Sequence, residues 1–192
     1  RETVVAISEL IEYYKGIFTT LSSCASRQLE EVTFRRATIS VPELMATAGK
    51  YFRKVYKGNK AHIDFKIQPL EGRITGDWNQ LRFLLENLID EACSVTLDGA
   101  VCLSAREDGE FIRFLFTDMR REKTREELNQ LFYPDLSRMT AGEKGELYGT
   151  EYLVCKQIIR DHDEFAGRRG CRINAEPAQK GGFTVYFTLP KR

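Results

Sequence analysis

One stretch of this chain, AHIDFKIQP (61–69), alternates apolar and polar residues with a period of two, and AVCLSARE (100–107) and EFIRFLFT (110–117) are further strand-like runs. GGFTVYFTLP (181–190) is a fourth strand-like run. Side chains on a strand point to opposite faces in turn, so this pattern demands a sheet with one face buried and one face wet. Asp108-Gly109, between the second and third runs, is the residue pair that a two-residue hairpin turn favours. Two shorter strands are expected at 37–41 and 73–76.

A half-buried sheet needs a cover. Pro42-Glu43 opens a helix to about Lys57, because proline suits the first helical turn. A second helix runs from an Asp77 cap to about residue 95, with Leu81, Leu84, Leu85, Leu88, Ile89 and Ala92 at spacings of three and four. A third spans about 150–162, with Tyr152, Leu153, Val154, Ile158 and Ile159 on its apolar side. The predicted fold over 38–192 is an α+β two-layer sandwich: a mixed, mostly antiparallel sheet with helices on one face.

The second helix also carries Glu86, Asn87, Asp90 and Glu91 within six positions. Each reads as solvated, or as part of one edge facing a phosphate-and-metal site. Asn87 and Glu91 lie four apart and share a face. Amide and carboxylate oxygens suit magnesium, which keeps several of its waters.

Basic and acidic residues number 29 and 28, so the net charge of +1 gives no electrostatic case for nucleic acid or an acidic membrane. No apolar run approaches the roughly 20 residues of a membrane span. Five scattered cysteines and two histidines form no zinc pattern, and reduced thiols in a cytoplasmic setting fit best. The chain opens at Arg1, so it is expected to belong to something longer. Residues 1–33 carry Val4, Ile7, Ile11, Tyr14, Phe18, Leu21 and Ala25 at alternating spacings of three and four. That seam is expected to make a homodimer through an N-terminal helix. Residues 119–148 lose strand character and read as a long functional loop or lid. The cluster RDHDEF around His162 reads as a solvated helix end.

Order and spacing carry a resemblance. The helix with Asp77, Leu81, Leu85, Asn87-Leu88-Ile89 and Ala92, the strand ending at Asp118 in FTDMRRE, Glu126-Glu127-Leu128 with Phe132, the helix GTEYLVCKQIIRDH and the closing GGFTVYFTLP follow one another over about 150 residues. This resembles the ATP-binding domain of sensor histidine kinases, in the superfamily that also holds gyrase, the Hsp90 chaperones and MutL. Residues 1–33 resemble the second helix of the dimerisation hairpin that precedes that domain.

The resemblance implies ATP and Mg²⁺ as cofactors, with Asn87, Glu91, Asp118, Gly149 and Thr184 at the nucleotide and Asn87 and Glu91 at the metal. Asp118 would accept from the adenine amino group, or it would end its strand by bonding its own turn. The implied activity is phosphoryl transfer from ATP to a histidine outside this chain, in a two-component system with a response-regulator receiver domain as partner. Neither His62 nor His162 stands at an acceptor position. The pattern also departs from the family. Glu91 replaces a second Asn, Arg120 and Glu122 replace the two glycines of Asp-x-Gly-x-Gly, and Gly149 alone remains of the lid glycines, flanked by Leu147 and Glu151. A degenerate nucleotide site is therefore expected. The alternative is an inactive pseudokinase that dimerises and binds partners.

Overall fold

A computed structural model describes residues 33–58, 61–132 and 150–192. The N-terminal seam, the proposed dimer contact and Gly149 lie outside the described residues. Strand β1 (Arg36–Ser40) leads into helix α1 (Val41–Val55), followed by β2 (Ile63–Gln68), β3 (Arg73–Asp77) and helix α2 (Trp78–Ser94). The hairpin β4 (Gly99–Asp108) and β5 (Phe111–Asp118), short helix α3 (Arg125–Gln130), helix α4 (Thr150–Phe165), β6 (Ile173–Pro177) and β7 (Phe183–Pro190) complete the order.

Five strands form one sheet in the order β2-β4-β5-β7-β6, in which only the β2–β4 pair is parallel. Strands β1 and β3 form a separate antiparallel pair. The alternation seen in the sequence sets the sheet's two faces. Ile112, Phe114 and Phe116 of β5 are buried together with Val185, Phe187 and Leu189 of β7, and the Phe114 and Phe187 rings stack at 4.9 Å. The residues between them face the other way, where the Arg113 guanidinium lies 4.7 Å from the centre of the Tyr186 ring.

The helices cover the apolar face, as their periodicity requires. Helix α1 buries Val41, Leu44, Met45, Ala48 and Phe52, and Ser40 caps it by accepting from the Glu43 N–H. Helix α2 buries the six apolar residues named from its spacing. All of them belong to a single core with the inward residues of the sheet.

Two expectations need correction. Of the stretch expected as a loop or lid, residues 119–132 are described and hold a short helix: Thr124 and Glu127 form a reciprocal capping box that starts α3, and Leu128, Leu131 and Phe132 are buried, whereas residues 133–148 lie outside the described residues. His162 and Asp161 are buried and not solvated. His162 extends the stripe of Cys155, Ile158 and Ile159 by one turn, so the apolar face of α4 runs through it.

Candidate nucleotide site

The site builds from the two ends of α2. At the first, Asp77 has extended backbone and its carboxylate accepts from the Gln80 N–H at 3.1 Å and the Arg35 N–H at 2.8 Å. The backbone N–H of Asp77 donates to His162 Nε2 at 3.0 Å. The ring's other nitrogen, Nδ1, lies 2.7 Å from the Ile158 carbonyl and must be the protonated one, because a carbonyl can only accept. Burial holds the imidazole below its ordinary pKa, outweighing the bond to Ile158 and the charge of Asp77.

At the other end, β5 finishes in Asp118, which is only 1% exposed. The chain turns there because Asp118 Oδ1 accepts the N–H of Arg120 at 3.0 Å. Gly182 allows the turn before β7 to press against this point. Its φ is +80°, and a Cβ there would stand 2.0 Å from the Asp118 carbonyl oxygen.

Both carboxylate oxygens of Asp118 are then taken by the two arginines that follow it. Arg120 Nε donates to Oδ1 at 2.9 Å and its NH2 to Oδ2 at 2.8 Å, a bidentate pair. Arg121 Nε donates to Oδ2 at 3.1 Å. Arg121 then reaches across to α2 and makes a second bidentate pair with Glu91, at 2.9 and 2.8 Å. Burial pushes the Asp118 carboxyl up, but the bonds from Arg120 and the charges of both arginines hold it below the usual range. For Arg121 burial works against the charged form, and the Glu91 carboxylate more than restores it. Tyr152, at the start of α4, is buried, and burial followed by the Glu91 charge pushes its phenol well above its ordinary value. Two carboxylates and two guanidiniums thus close on one another with no net charge.

The residues expected at the nucleotide are placed as follows. Asp118 and Glu91 do come together, but through Arg121. Asn87 turns back on its own helix, donating to the Phe83 carbonyl at 2.7 Å. Thr184 is not beside Asp118. In the β5–β7 register Asp118 faces Phe183, and Thr184 pairs with Thr117, their hydroxyls 2.8 Å apart on the opposite face. On a strand a step of one residue reverses the face. Phe183 is buried, with Arg121 and Lys123 each 5.3 Å from its ring centre.

Two of the groups expected to hold ATP and Mg²⁺, Asp118 and Glu91, are engaged within the chain. The acceptor proposed for the adenine amino group is saturated by arginines, and the carboxylate proposed for magnesium is held bidentate. Among the described residues no group of three or more His, Cys, Asp or Glu side chains could hold a metal ion. An open cleft of about 500 Å³ remains beside Arg121, lined by Ser94, Thr96, Leu97, Glu122, Lys123 and Glu127.

The layering, with one helix capped by Asp77 and a strand ended by Asp118, defines the fold of histidine kinase catalytic domains. The catalytic domain of the histidine kinase ThkA superposes with a TM-score of 0.62 at 18% identity, over 82% of this chain and 96% of that one. Acinetobacter baumannii histidine kinase AdeS gives 0.62 at 13% identity, over 94% and 79%. Full-length ShkA in complex with AMPPNP gives 0.68 at 17% identity, over 100% of this chain and 39% of that one. Residues 76–192 match the family of histidine kinase-, DNA gyrase B- and HSP90-like ATPases, and the chain belongs to that family. No curated protein matches it.

Proposed function

We propose that this chain is a histidine-kinase-type signalling domain that works without ATP turnover, as a dimerising and partner-binding pseudokinase. The observation that supports this is the saturation of Asp118: every oxygen that would recognise a nucleobase is already bonded to Arg120 or Arg121. Dimerisation through the seam of residues 1–33 and docking to a receiver domain, in a cytoplasmic setting, complete the reading. Among the described residues no helix is long and apolar enough to cross a membrane, and the near-neutral charge gives no case for nucleic acid.

Family membership favours a second reading, ATP:protein-histidine phosphotransfer to a histidine outside this chain. Titration calorimetry with ATP, ADP and adenosine, with and without magnesium, decides between them. Each charge-assisted contact contributes about 1.5–3 kcal/mol, so losing two weakens binding at least a hundredfold. The expected result is no binding of any of the three in the micromolar range and no effect of magnesium. Tight, magnesium-dependent ATP binding would overturn the pseudokinase reading.

A further inference from the structure

Arg120 does more than block. Its side chain is completely buried, a costly position for a cation unless its donors are satisfied. A guanidinium has five N–H donors, and the bonds here match that number. Nε and NH2 bind Asp118 at 2.9 and 2.8 Å. NH2 also donates to the Ala92 carbonyl at 2.7 Å, and NH1 reaches the carbonyls of Leu97 at 3.2 Å and Val95 at 3.5 Å. Ala92 lies in the last turn of α2 and Val95 is its C-cap, where carbonyls have no intrahelical donors and the helix dipole favours a cation. The path of the side chain is built as well. Gly99 has φ +136°, and a Cβ there would stand 2.9 Å from Arg120 Cγ. A lysine has neither the fork nor the number of donors to do this.

Resting on the pseudokinase reading, we propose that Arg120 is a tethered ligand. Its guanidinium occupies a built cavity of one carboxylate and three carbonyls, and joins the end of α2 to the end of β5 without a nucleotide. The site is therefore one for a planar cation of the guanidine class, filled from within the chain.

Truncation with chemical rescue tests this in the 192-residue chain. Arg120→Ala should lower the melting temperature by roughly 10 °C, as expected for a buried charge stripped of its partner. Millimolar N-ethylguanidine, which replaces the deleted atoms, should raise it again in proportion to occupancy. It should leave wild type and an Arg168→Ala control unmoved. A variant as stable as wild type, or one that is destabilised but gains nothing from N-ethylguanidine, overturns the assignment.

Should Arg120→Ala fail to fold, the wild type decides. The Arg120 Nε–H, assigned by its disappearance from the NMR spectrum of Arg120→Lys, should exchange far more slowly than that of exposed Arg168. Equal exchange overturns the proposal. These readouts contain no nucleotide. Tight ATP binding would sink the functional reading by itself, whereas failed rescue with ATP still excluded would sink only the tethered ligand.

Discussion

The two ends of α2 solve the same problem with different chemistry. At the N-terminal end the Asp77 carboxylate accepts the orphan Gln80 N–H, and the backbone N–H of Asp77 donates to a neutral imidazole. At the C-terminal end a guanidinium, Arg120, bonds orphan carbonyls and is backed by a carboxylate. Both agree with the helix dipole. The first end combines one local bond, the cap on Gln80 three positions on, with two distant ones, from Arg35 and to His162. The second is assembled from residues 92, 95, 97, 118 and 120, and it exists only once the sheet and helix have met. The site expected to bind a nucleotide is thus an end of the helix whose polar groups are met only in the tertiary structure, and the chain fills it with its own side chain.

Sharpening this contrast needs changes that load one end at a time. The largest effect is expected for Gly99→Ala. It puts a Cβ against the Arg120 stem at a positive φ, and combined strain and displacement should cost about 3 kcal/mol in urea unfolding. A loss below about 0.5 kcal/mol would mean that Arg120 is not held where it lies. Asp77→Ala should cost about 2 kcal/mol, at the upper end for a cap because two N–H groups lose their acceptor. It should leave Arg120 exchange untouched.

Smaller again is the effect of pH, which separates the ends. The His162 imidazole is held below its ordinary value, so the unfolded chain takes up its proton first. Stability is then complete above about pH 6.5 and declines as pH falls from there toward the folded value. Asp118 is also held low, and its contribution should fade only as pH drops below about 4. Unfolding followed from pH 7.5 to 5 should show a decline that His162→Gln removes. A decline unchanged in that variant would assign it elsewhere.

The fold was largely legible because periods of two and 3.6 are written in each segment. The hairpin, the helix starts marked by Pro42 and Asp77 and the apolar faces all follow from local residue order. What escaped depends on distance or on a single step of register. Thr184 is expected at the nucleotide together with Asp118, but β7 enters the sheet with Phe183 on that face. The charged neighbours of His162 suggest a solvated helix end, although its spacing from Ile158 already puts it on the buried stripe. Helix α3 was announced by Thr124 and Glu127 but hidden by the polar run around it. For Arg120 the sequence showed that a glycine was missing. It could not show that carbonyls from residues 92 to 97 would gather around the replacement, since nothing local links them.

The central claim is that Asp118 and Arg120 satisfy each other inside the fold. A double-mutant cycle with Asp118→Asn, Arg120→Met and the pair, measured by urea unfolding, tests it most directly. Each single change leaves one buried group without its partner, whereas the double change removes both. The account requires the double variant to be more stable than the two single losses summed, with a coupling of about 2–3 kcal/mol. Losses that add to within about 0.5 kcal/mol would show two independent residues and contradict it.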